Sequence, residues 1–227
     1  MKPLIVALDV ETDVEAMGLV RTLRPYVDLF KVGPVLFLKY GGAMIAEMRC
    51  LGAEIFLDMK FHDIPSVVAK AVERAGELGV YSATVHASGG LAMLQAAAAV
   101  VKRPKLWGVT VLTSLDAKDL SRLGVKRTVK AHVRQLAKMA CAAGLDGVIA
   151  SVEEAALVKK ACPRPFQVVT PGIRMARAMD DQKRAHTPTD AAKNGADFFV
   201  MGRPIIESPD PAAAVRSVYE MLERNAV

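Results

Sequence analysis

The chain has 227 residues, 52% hydrophobic and 24% charged, which suits one large domain with a sizeable core and does not fit a disordered or fibrous protein. Its net charge of +6 comes from Lys and Arg scattered among Asp and Glu, with no basic block and no basic-aromatic interleaving. That pattern argues against nucleic acid or a membrane surface as partner and leaves an anionic small substrate.

From the N-terminus, Met1 to Leu8 is apolar for too few residues to be a signal peptide and runs straight into Asp9. No stretch approaches the roughly 20 apolar residues of a transmembrane span. Short apolar runs ending in polar residues then alternate with longer Ala-rich amphipathic segments through eight cycles. Strands are predicted at 4–8, 29–32, 54–57, 82–85, 106–111, 147–150, 167–169 and 198–201. Helices are predicted near 13–24, 35–51, 65–78, 89–101, 127–143, 152–161, 188–194 and 211–224. Strands alternating with helices pair in parallel, and eight repeats close most simply into a single (β/α)8 TIM barrel over residues 1–227. An open doubly wound sheet is the other arrangement. Asp9-Val10-Glu11-Thr12 stands where its dinucleotide-binding version would carry Gly-x-Gly-x-x-Gly.

In a barrel the C-terminal strand ends converge on one mouth. Those ends carry Asp9, Lys31, Asp58, Lys60, His86, Thr113, Ser114, Ser151, Thr170 and Gly202-Arg203. The third is the richest. Phe56-Leu57-Asp58-Met59-Lys60-Phe61-His62-Asp63-Ile64-Pro65 sets an acid, a base and an acid after an apolar strand, and alternation sends Asp58 and Lys60 to one face. Carboxylates beside an ammonium favour its charged form and repel a further anion, so the site can donate a proton and destabilise a bound carboxylate. A surface ion network capping the strand is the other reading. Lys31, within the apolar run Leu29 to Gly33, needs an anion from Asp9 or Asp58 on a neighbouring strand; the pair is either functional or a buried structural one.

After the last strand, Gly202-Arg203 offers backbone N–H groups and a guanidinium suited to phosphate, or else a tight turn with Arg203 at the surface. Residues 174–186 form the longest stretch without apolar periodicity. With Arg174, Gln182 and Arg184 they read as a lid over that phosphate or as a solvated linker. His62 is a supporting residue, His86 is expected in a hydrogen-bonded core position, and His132 and His186 at the surface. No histidine pair has metal spacing, so no metal is predicted. Cys50, Cys141 and Cys162 lack close pairs, which points to a reducing cytoplasm.

Eight segments together resemble the orotidine 5′-phosphate decarboxylase family of the bacterial type. They are Ala7-Leu8-Asp9, Phe30-Lys31-Val32-Gly33, Phe56 to Pro65, Val85-His86-Ala87-Ser88-Gly89-Gly90, Val109 to Ser114, Pro171-Gly172-Ile173-Arg174, Asp181-Gln182-Lys183-Arg184 and Gly202-Arg203-Pro204. The resemblance implies a decarboxylase that needs no cofactor, with Lys60 as proton donor, Asp58 against the substrate carboxylate and Lys31 holding the array. It also implies a homodimer in which Asp63 and Ile64 enter the neighbouring active site. Asp9 is implied at the ribose, Thr113 near the pyrimidine, and Arg174, Gln182, Gly202 and Arg203 at the phosphate and lid. One position departs from the pattern: Val67 stands four residues after Asp63, where the family usually presents a Thr. A Mg²⁺-dependent sugar-phosphate decarboxylase and a silent UMP-binding protein are the rival readings.

Overall fold

Eight parallel strands close on themselves in sequence order, which is the (β/α)8 barrel expected above. In chain order they are β1 (Leu4–Ala7), α1 (Asp13–Leu23), β2 (Leu29–Val32), α2 (Pro34–Cys50), β3 (Glu54–Phe61), α3 (Pro65–Glu77), β4 (Ser82–His86), α4 (Leu91–Ala98), β5 (Lys105–Val109), α5 (Ala117–Arg122), α6 (Val129–Ala142), β6 (Gly147–Ile149), α7 (Val152–Ala161), β7 (Gln167–Thr170), α8 (Pro188–Lys193), β8 (Phe198–Met201), α9 (Arg203–Ile206) and α10 (Pro211–Arg224). This computed structural model describes residues 1–175 and 186–224. No helix among the described residues is long and apolar enough to cross a membrane.

Strand alternation divides the apolar residues into two clusters. Leu4, Val6, Phe30, Ile55, Leu57, Ala83 and Val85 pack outward against the helices. Ile5, Ala7, Leu29, Phe56, Trp107, Val169, Phe198 and Val200 fill the barrel. Trp107 stands edge-on to Phe56, with ring centroids 4.8 Å apart. The inner parity then fixes the layer above this plug. Two residues on from Ala7, Leu29 and Phe56 come Asp9, Lys31 and Asp58, so three charges rest on an apolar floor.

Local chemistry accounts for the helix starts. Thr12 and Glu15 form a reciprocal capping box on α1, as Thr187 and Asp190 do on α8, while Pro34 and Pro65 open α2 and α3. The structure extends β3 four residues beyond the predicted end at Leu57, so Asp58 and Lys60 lie inside the strand. Charged side chains end an apolar run without ending the extended backbone. The six-residue α5 was not predicted, because it is polar and has no apolar stripe; Asp116 caps it by accepting from the N–H groups of Lys118 and Asp119.

Gly76 marks a backbone close approach, since a Cβ there would drive into the carbonyl of Lys102. Helix propensity favours Ala over Gly by about 1 kcal/mol, but overpacking against a main chain that cannot rotate away costs about 1–3 kcal/mol. Gly76→Ala is therefore expected to lower the urea midpoint of unfolding. An unchanged or raised midpoint would remove this close approach from the account.

Candidate active site

The charges at the mouth form a continuous chain. Lys31 Nζ donates to Asp9 Oδ1 at 2.9 Å and lies 4.0 Å from Asp58 Oδ2, and Lys60 Nζ donates to that same Oδ2 at 2.7 Å. Lys31 thus has both anions that its apolar strand requires. Its side chain is 13% exposed, as is that of Asp58, whereas Lys60 is 36% exposed and Asp9 58%. Burial therefore falls on the middle of the array, while Lys60 and Asp9 face the opening.

Lys60 reaches Asp58 by a route that differs from the predicted one. Regular alternation is interrupted: β3 and β4 are in register at Leu57 and Ala83 and again at Phe61 and Val85, so Asp58, Met59 and Lys60 together face the single residue Thr84. Lys60 has φ 52°, the left-handed region, and among the described residues it is the one non-glycine residue there. That conformation costs roughly 1–2 kcal/mol for an L-residue with a side chain. It folds the ammonium back onto Asp58.

A cavity of about 530 Å³ opens beside the array and is lined by Asp9, Lys31, Thr113, Arg174, Gly202 and Arg203, among others. Six predicted site residues thus share one concavity. Arg203 is exposed at the start of α9, and Gly202 lies so close to β1 that a Cβ would sit 3.4 Å from both Ala7 Cβ and Asp9 Oδ2. The Arg174 N–H donates to the carbonyl of His186 at 3.0 Å, which closes the base of the 174–186 segment. Gln182 and Arg184 lie outside the described residues. A second cavity of about 320 Å³, among Lys105, Asp146, Arg164 and Gln167, opens at the starts of β5 to β7, away from the array.

Asp63 does not join the array within its own chain. It is exposed, its carboxylate accepts from the Ile64 N–H at 2.6 Å, and among the described residues no ion pair links it to Lys60. Ile64 is 62% exposed and Val67 44%. Three histidine expectations need correction, for His132 on α6 is partly buried rather than at the surface, and burial, then Arg127, lowers its pKa below 6.5. His86 is half-buried rather than core, with its ring 5.2 Å from that of His62; burial, then His62 and Lys60, lower its pKa below 6.5. His186 is partly buried and bridges to Ile173 instead of lying free at the surface. Ser151 is taken up by Glu154 at the start of α7, and Thr170 is fully buried within β7.

Thr84 is the residue that sequence reasoning missed. Fully buried, it donates from Oγ1 to Asp58 Oδ1 at 2.9 Å and accepts the Lys60 N–H at 2.8 Å. Its signal was available: Ala83 and Val85 are apolar and outward, so Ser82, Thr84 and His86 share the inward parity. Among the described residues no group of three or more His, Cys, Asp and Glu is placed to hold a metal ion.

The chain matches known proteins over nearly its whole length. Residues 2–218 match the model of the Orotidine 5′-phosphate decarboxylase / HUMPS family. Orotidine 5′-phosphate decarboxylase of Dichelobacter nodosus is 46% identical over 225 residues, covering 97% of this chain and 98% of that protein. The enzyme of the same name from Syntrophotalea carbinolica is 47% identical, covering 96% and 94%. The crystal structure of orotidine 5′-phosphate decarboxylase from Lactobacillus acidophilus superposes with a TM-score of 0.85 at 33% identity, over 98% of this chain and 99% of that one.

Proposed function

Since the chain belongs to the Orotidine 5′-phosphate decarboxylase / HUMPS family, we propose that it converts orotidine 5′-phosphate to UMP and CO2, the last step of UMP biosynthesis, without a cofactor. Residues 1–227 act as a single catalytic domain in the cytoplasm. The observation that carries the reading is the unbroken chain Asp9, Lys31, Asp58, Lys60 beside the Arg203 cavity. It sets a proton donor and a repelling carboxylate at one end of a site whose other end suits phosphate.

In this mechanism the bond from C6 to the carboxylate breaks, CO2 departs, and the electron pair stays on C6. Lys60 Nζ, held by Asp58, provides positive charge where that pair develops and then transfers its proton to C6; solvent reprotonates the amine. Asp58 opposes the substrate carboxylate, an opposition that disappears as CO2 leaves. Lys31 keeps Asp9 and Asp58 in place. Asp9 binds the ribose, Thr113 borders the pyrimidine, and Gly202, Arg203, Arg174 and Gln182 hold the phosphate, whose remote binding energy supports the reacting end.

The homodimer belongs to the same proposal. Leu38, Ile64, Val67 and Leu91, 80%, 62%, 44% and 45% exposed, stand at or near the starts of α2, α3 and α4 around the mouth. Such an apolar surface suits a second copy, which would bring its Asp63 and Ile64 to this site. Val67 has no hydroxyl to offer the neighbouring ribose, which forgoes about 1 kcal/mol of binding.

Ultraviolet absorbance of orotidine 5′-phosphate with the purified protein and excess EDTA tests the function. Loss of the substrate band is expected; no change without Mg²⁺ and turnover of a sugar phosphate with it would replace the reading. Arg203→Ala is expected to raise KM roughly 10- to 100-fold, as for loss of a charge-assisted contact, with a smaller fall in kcat as phosphate binding energy is withdrawn from the reacting end. An unchanged KM would take Arg203 out of the phosphate site.

A further inference from the structure

We infer that Thr84 is a positioning residue for Lys60 and Asp58, its one hydroxyl standing in for the strand ladder that the β3 bulge removes. This rests on the decarboxylase reading above for its kinetic consequence, though not for its geometry.

Three residues of β3 face one of β4 between the Leu57–Ala83 and Phe61–Val85 pairs, so regular ladder bonding fails across Asp58, Met59 and Lys60. A backbone N–H left buried without a partner costs about 1–3 kcal/mol. The Lys60 N–H avoids that cost by donating to Thr84 Oγ1 at 2.8 Å. Accepting this bond directs the hydroxyl hydrogen onto Asp58 Oδ1 at 2.9 Å, and Asp58 Oδ2 is already engaged by Lys60 Nζ at 2.7 Å. Backbone, hydroxyl, carboxylate and ammonium thus close a ring that begins and ends on Lys60. Each bond fixes a different variable: the N–H contact holds the left-handed backbone at φ 52°, and the Oδ1 contact sets the carboxylate plane that aims the ammonium. Among the described residues no other side chain bonds Asp58 Oδ1 or the Lys60 N–H.

The chemistry of the position is narrow. Serine can replace both contacts; valine has the same shape and neither. Alanine would add a void beneath the array. Thr84 is fully buried and does not line the 530 Å³ cavity, so it has no contact of its own to offer bound substrate and acts through Asp58 and Lys60.

The test compares Thr84→Val, Thr84→Ser and the unmodified enzyme in steady-state decarboxylation and by crystallography. Thr84→Val is expected to lower kcat about 100-fold with KM within about threefold, the effect of misplacing a catalytic group by roughly 1 Å. Thr84→Ser is expected to return kcat to within about threefold of the unmodified enzyme, since it restores both hydrogen bonds. In the Thr84→Val crystal structure Lys60 should leave positive φ and its contact with Asp58 should lengthen. An unperturbed Lys60 in that structure, or a serine variant as impaired as the valine one, overturns the proposal. Should the unmodified enzyme not decarboxylate orotidine 5′-phosphate, the functional reading fails, and the Lys60 geometry in the valine structure still decides the role of Thr84.

Discussion

Lys60→Ala is expected to lower kcat for orotidine 5′-phosphate by at least about 10⁴-fold, because in the proposed mechanism one side chain supplies both a positioned proton, contributing about 10² to 10⁴, and a preorganised positive charge, contributing about 10² to 10³. UMP affinity should stay within about tenfold, since the proposed phosphate and ribose contacts, Arg203 and Asp9, line the cavity away from Lys60. The fold should tolerate the change. The Lys60 side chain is 36% exposed, and the buried carboxylate of Asp58 keeps Lys31 at 4.0 Å and the Thr84 hydroxyl as partners when Lys60 is removed. A folded variant that binds UMP and does not turn over isolates the chemical step. Substantial residual turnover, measured by loss of the substrate absorbance, would refute the proton-donor role and leave the array as a binding device.

The reasons why parts of this site were legible in the sequence are physical. Lys31 declared its partners because an ammonium in Leu29-Phe30-Lys31-Val32 cannot be buried alone, and Asp9 and Asp58 on the flanking strands are what it meets. β2 and β8 were located without error because their apolar runs stop at Gly33 and Gly202. The end of β3 was misplaced because hydrophobicity tracks burial, and here the extended backbone runs on after burial by apolar contacts has ended. The bulge was hidden for a different reason: register depends on two strands, and no pattern within Asp58-Met59-Lys60 records what stands opposite. Thr84 was passed over although its inward parity is readable in β4, since a Thr in a strand reads first as β-propensity. Asp63 was legible as a charge but not by location, because a barrel read as one chain gives no position for a residue assigned to a partner's site.

Asp58→Asn should separate two roles that the geometry superimposes on one carboxylate. Asparagine keeps the shape and can still accept from Thr84 Oγ1, while its amide nitrogen would face Lys60 Nζ as a donor against a donor. Lys60 then loses its anchor, and kcat is expected to fall about 100-fold from misplacement of the ammonium. If Asp58 did no more than aim Lys60, KM would hold steady. In the proposed mechanism the substrate carboxylate lies against Asp58, however, and such opposition, of about 1–5 kcal/mol, acts on the ground state and vanishes as CO2 departs. Neutralising Asp58 therefore removes a repulsion felt by bound substrate but not by the transition state, and KM should fall together with kcat, by about tenfold for each 1.4 kcal/mol relieved. UMP, which has no carboxylate at C6, should bind the variant and the unmodified enzyme alike. A KM that stays constant or rises while kcat falls would assign Asp58 to positioning alone, and the rate enhancement would then have to come from Lys60 and the distant phosphate contacts.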